Sequence, residues 1–140
     1  GSVPKKLRPV LEREGIVILD EGIGGWFVSK RVTGPGKRYH HRIEGFSGCL
    51  AVTKTRVVCY TYWRRQINIS VEDPRIAHLF VDAPTEEKLY ISFESSSFRD
   101  GWQGVVEFRF RTEKARLFLE ALTAIGATQG TVPDAGKPRQ

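Results

Sequence analysis

The sequence predicts a mainly β fold: a barrel of about seven antiparallel strands capped by one C-terminal α-helix. Three observations predict it. Between Gly15 and Arg111 apolar residues recur mostly with period two, the spacing of a half-buried strand. Turn chemistry separates these runs. After Thr112 the period changes once, to that of a helix. A sheet with one apolar face must close or stack to hide it, and a lone helix can cover one mouth of a small barrel.

A chain of 140 residues is one domain's worth and can bury a core without metal or disulfide support. With 40% hydrophobic and 27% charged residues it has the composition of an ordinary globular protein. Residues 1–14 read as a charged lead-in with two prolines, an extended segment or a short first turn. Gly1-Ser2 has the look of a cloning scar. Residues 15–126 form the domain, and 127–140 lack apolar periodicity and read as a disordered tail.

In chain order, GIVILD and GWFVSKRV read as two strands, followed by turn chemistry at Thr33-Gly34-Pro35-Gly36 and a return strand KRYHHRI. SGCLAVT and RVVCYTYW pair around Lys54-Thr55 and carry the branched and aromatic residues that suit a pleated surface. QINISV, KLYISFE and VVEFRFR alternate cleanly, which assigns Ile67, Ile69, Leu89, Ile91, Phe93, Val106, Phe108 and Phe110 to the interior. Side chains this bulky fill a barrel of this size, so a ligand-carrying lumen is not expected. IAHLFVD (76–82) is a further predicted strand, and SSSFRDGWQG (95–104) a long loop.

The helix follows. Thr112 is the expected N-cap and Gly126 the stop, with Ala115, Phe118, Leu119, Leu122 and Ile125 on one stripe. Burying the four larger side chains stabilises by roughly 1.5–3 kcal/mol each as an upper estimate. Alone, a helix of this length is marginal in water, so it must dock on the sheet.

Two cysteines are too few for a disulfide scaffold. With Lys54-Thr55 as a two-residue loop, Leu50 faces Cys59 and Cys49 points to the other side of the sheet. Reduced, buried thiols are the expectation. No apolar run approaches the ~18 residues of a spanning helix, and no signal-peptide pattern is present. Together these predict a cytoplasmic protein, free or at the membrane periphery.

The element order resembles that of pleckstrin-homology-like domains, the bacterial PH and GRAM branch in particular. Two stretches carry the likeness. GCLAVTKTRVVCYTYW (48–63) is similar to the family's third and fourth strands, and TEKARLFLEALTAI (112–125) sits where its capping helix sits. The resemblance implies a non-enzymatic binding module. In members that bind phosphoinositides the first hairpin carries a pattern resembling K-x(7–13)-[KR]-x-R. Lys30 and Arg38 match its first two places, but the third is His40, with Arg42 two residues further on. Histidine is mostly neutral at pH 7 and lacks the planar fork of arginine.

The net charge of +6 suggests an anionic partner. Between Lys30 and Arg42 the chain holds five Lys/Arg, two histidines and no acid. Lys30, Arg31, Lys37, Arg38, His40 and Arg42 are therefore the candidate anion-binding residues. Strict alternation puts Arg38, His40 and Arg42 on one face. The partner is then an acidic membrane surface or an acidic protein. His40 and His41 point to opposite faces and lack metal-ligand spacing, so no metal or cofactor is expected. Acids are scattered without a nucleophile–base signature, so no enzymatic activity is expected either. Two alternatives stay open: a protein-interaction module without lipid binding, and a single-strand nucleic-acid binder using Tyr60, Tyr62, Trp63, Arg64 and Arg65.

Overall fold

The computed structural model describes residues 1–62 and 64–133. The chain runs α1 (Arg8–Glu14), β1 (Ile16–Gly34), β2 (Lys37–Thr53), β3 (Arg56–Thr61), β4 (Arg64–Ser70), β5 (Phe80–Thr85), β6 (Lys88–Glu94), β7 (Gln103–Arg111), α2 (Ala115–Ala124) and β8 (Thr128–Gln129). Short 3₁₀ turns cover Pro74–His78 and Ser95–Ser97. No helix among the described residues is long and apolar enough to cross a membrane.

All eight strands belong to one sheet, in the order β4-β3-β2-β1-β7-β6-β5-β8. The sheet is curled but open, a half-barrel in place of the expected closed barrel of seven strands. β1 makes the curl possible. It pairs with β2 over most of its length and, from Gly25 onward, also with β7, so it belongs to both halves. β4 and β8 are its two edges, and a side chain of the β6–β7 connection reaches β4: Arg99 Nη2 donates to Gln66 Oε1 at 2.8 Å.

The predicted interior residues all enter one core cluster, together with Leu50, Val52, Val57 and Cys59. Phe108 lies at its centre, with ring centroids 4.8 Å from Phe27 and 5.9 Å from Phe46. Helix α2 closes this core with Ala115, Phe118 and Leu122, and Leu119 and Ile125 are half-buried beside them. The helix begins two residues later than an N-cap at Thr112 would give. Thr112 instead accepts from Lys114 N at 3.1 Å and donates to Asp20 Oδ2 at 2.6 Å, pinning the helix start to β1.

Several expectations need correcting. GIVILD and GWFVSKRV are one strand, interrupted by a bulge between Asp20 and Ile23. KRYHHRI and SGCLAVT are likewise one strand, because Gly45 stays in register opposite Trp26. IAHLFVD is not strand throughout. Asp73 Oδ1 accepts from Arg75 N at 2.8 Å and Pro74 presets the next turn, so a 3₁₀ helix runs to His78 and the strand begins at Phe80. Within the predicted tail, β8 adds a parallel strand to β5, and Val132 N donates to Ser92 Oγ at 3.2 Å. Residues 134–140 of the predicted tail lie outside the described residues.

The lead-in is a helix that covers the outer face of β2 and β3. Val3 and Leu11 pack there on Cys49, Ala51 and Val58, forming a second small core. Carboxylates hold it in place. Glu14 accepts from Arg56 Nε at 3.0 Å, and Glu21 accepts from Val3 N at 2.8 Å and from Arg8. The cysteine register is as expected: Leu50 opposes Cys59, Cys49 opposes Tyr60, and both thiols are buried and free.

Candidate functional site

Three chain reversals meet at the end of the sheet away from α2: the β1–β2 turn, the β3–β4 turn at Tyr62, and the β6–β7 connection. Between them opens a cup of about 470 Å³. Phe27, Val32 and Phe108 from the core line it, and the charged groups sit around them. β2 supplies Lys37 and Arg42, β4 supplies Arg64, and the β6–β7 connection supplies Arg99. Against these four cations stands one carboxylate among the described lining residues, Glu44, which pairs with Arg42.

Arg99 is the most constrained of the four. Its guanidinium lies 5.8 Å from the Trp102 ring centroid, and Gln66 fixes it from the side. Gln66 in turn donates its Nε2 to Thr61 Oγ1 at 2.8 Å, so the amide's orientation is set by two partners. Trp102 rests flat on Gly34, where any Cβ would fall into the indole ring. Burial and then the neighbouring Arg64 charge both lower the proton affinity of Arg99. Two like charges share a partly dehydrated space, an arrangement that favours an incoming anion.

The six residues predicted from the hairpin do not stay together. Lys37 and Arg42 reach the cup. Arg31, Arg38 and His40 line a separate concavity of about 420 Å³ with Thr33. Lys30 lines a third hollow beside Tyr90, Glu107, Thr131 and Val132. The single face expected for Arg38, His40 and Arg42 is therefore broken. One cause is a bulge. Lys30 opposes Val105 and Thr33 opposes Gln103, so β1 carries one residue more than β7 across this step. Arg31 takes φ +53°, and Gly104 opposite takes φ +104° because a Cβ there would overlap the Arg31 carbonyl. Ser29 and Val32, three apart, consequently both line the cup.

The aromatic–arginine cluster divides as well. Tyr60 packs against the small core under α1, whereas Tyr62 (φ +55°) and Arg64 turn into the cup. Trp63 lies outside the described residues. Arg99, Trp102 and Gln66 were not anticipated. The available signal was an Arg and a Trp three apart inside a long loop between two alternating strands. No protein-family model matches the sequence, and a search of the curated proteins returns no match.

Proposed function

We propose that the chain is a non-enzymatic, PH-like binding module that takes the phosphorylated head group of an anionic lipid into the cup formed by Lys37, Arg42, Arg64 and Arg99. One observation carries the reading: four cations from three separate chain segments converge on a cup with one carboxylate among its described lining residues, and two of them, Arg64 and Arg99, repel each other. A head group with clustered phosphates would relieve that repulsion through charge-assisted hydrogen bonds, for which arginine's planar fork is suited. The meander order, with β1 shared by both halves and α2 directly after β7, supports the PH-like assignment. The module would then work at the cytoplasmic face of a membrane.

Magnitude decides what kind of contact is needed. Near an anionic surface each Lys or Arg contributes about 1 kcal/mol, so four give about 4 kcal/mol. That corresponds to a dissociation constant of about 1 mM, too weak for recruitment by charge alone. The cup must therefore supply head-group recognition on top. Co-sedimentation with phosphatidylcholine vesicles, with and without a phosphoinositide, tests this. Wild type should pellet with the phosphoinositide vesicles, and Arg64→Ala/Arg99→Ala should not. Equal pelleting of the two proteins would end the proposal.

A further inference from the structure

The other side of the sheet carries a second arrangement that the cup does not explain. Trp26 on β1 lies directly opposite Arg109 on β7, and Arg109 directly opposite Tyr90 on β6. Residues in register on neighbouring strands share a face with Cβ atoms about 4.5–5.5 Å apart. The three side chains thus form one row across three strands on the outer surface. The arginine is held in place. Its guanidinium sits 5.1 Å from the Tyr90 ring centroid, and Nε donates to Glu107 Oε1 at 2.6 Å. Glu107 is buried beneath it, so the pair cancels in charge and the net positive charge of the row comes from its neighbours.

Trp26, in contrast, is 58% exposed in the middle of a sheet. The indole lies over Gly45, its partner on β2, where a Cβ would come within 3.6 Å of the ring, so no neighbouring side chain on that strand covers it. The groove at this row has a volume of about 570 Å³. Its cations are Arg109 and, one step further along, Arg111 paired with Lys88. No carboxylate lines it among the described residues.

We infer that this outer face is a platform for single-stranded nucleic acid. Two flat groups, the Trp26 indole and the Arg109 plane backed by Tyr90, offer stacking surfaces to successive bases, while Lys88 and Arg111 meet the phosphates. Aromatic stacking plus a cationic track is the chemistry of sequence-tolerant single-strand binding, and guanidinium planes stack bases as aromatic rings do. A duplex hides its base faces from such a row. An acidic polypeptide would satisfy the cations but leave the indole unused.

Fluorescence anisotropy with fluorescein-labelled dT20 and U20 tests the inference. The controls are a duplex of the same length and labelled poly-glutamate. At least one of the two oligonucleotides should bind and quench tryptophan emission. Trp26→Ala, at an exposed position, should weaken binding about tenfold, the size of one lost base stack. Lys88→Ala and Arg111→Ala should each reduce the slope of log K against log salt by about 0.7. The cup variant Arg64→Ala/Arg99→Ala should keep oligonucleotide binding, so failure of the lipid reading and failure of this one are separately visible. If neither oligonucleotide binds, if poly-glutamate or duplex binds as tightly, or if folded Trp26→Ala binds like wild type, the platform does not exist.

Discussion

Arg64 and Arg99 line the same cup, and the charge of the first lowers the proton affinity of the second. Like charges held this close add nothing to the stability of the fold. Arg64→Ala should therefore change stability by less than about 0.5 kcal/mol, the range of ordinary surface changes, while abolishing vesicle binding. Thermal melts beside co-sedimentation check this. A large loss of stability would mean that Arg64 is structural.

Acid should loosen the N-terminal helix. Burial raises the Glu14 carboxyl, but hydrogen bonds from Thr55, Arg56 and Thr53 and the Arg56 charge outweigh it, leaving the proton affinity lowered. Glu21 is likewise lowered on balance, through Val3 N and Arg8 acting against its burial. Both carboxyls hold protons less tightly folded than unfolded. Their stabilisation is complete above the ordinary glutamate range, about 4.3, and is lost as pH falls through the lower folded values. Urea midpoints between pH 7 and pH 3 should fall with acid, and less steeply in Glu14→Gln.

The two thiols should be inert in the native state. Burial raises both, and Cys59 is the more strongly raised, with the Cys49 charge adding to the effect. One belongs to the core and the other to the layer under α1, on opposite faces of the sheet. Ellman's reagent at pH 8 should label neither until urea is added, and no disulfide should form under air. Rapid native labelling would show that α1 opens readily.

Helix α2 should be required for the core. Leu122 is fully buried against the sheet, so Leu122→Ala should cost about 2–5 kcal/mol. Chemical denaturation measures it directly. A cost below 1 kcal/mol would indicate a helix that merely rests on the surface.

Much of the fold was legible because its residues obey one period at a time. Ile67, Ile69, Leu89, Ile91 and Phe108 alternate without exception, and all reach the core. The Lys54-Thr55 loop fixed the cysteine register by simple counting. Legibility failed where local chemistry overrides the period. At Asp73-Pro74 a side-chain cap and a preset φ replaced the first three predicted strand residues, Ile76, Ala77 and His78, with a 3₁₀ turn. At Arg31 an inserted residue broke the alternation that had grouped Arg38 with Arg42. The cup itself joins Lys37, Arg64 and Arg99, which are far apart in sequence and share no spacing. Only the meeting of three reversals at one end of the sheet brings them together.

The extra residue at Arg31 has a genetic corollary. Which positive charges this hairpin shows to either side depends on residue count as well as on which amino acids are present. Loss of a single codon there would bring β1 into step with β7 and put it one residue out of register with β2. An in-frame deletion could thus move the hairpin's remaining charges between faces without any substitution.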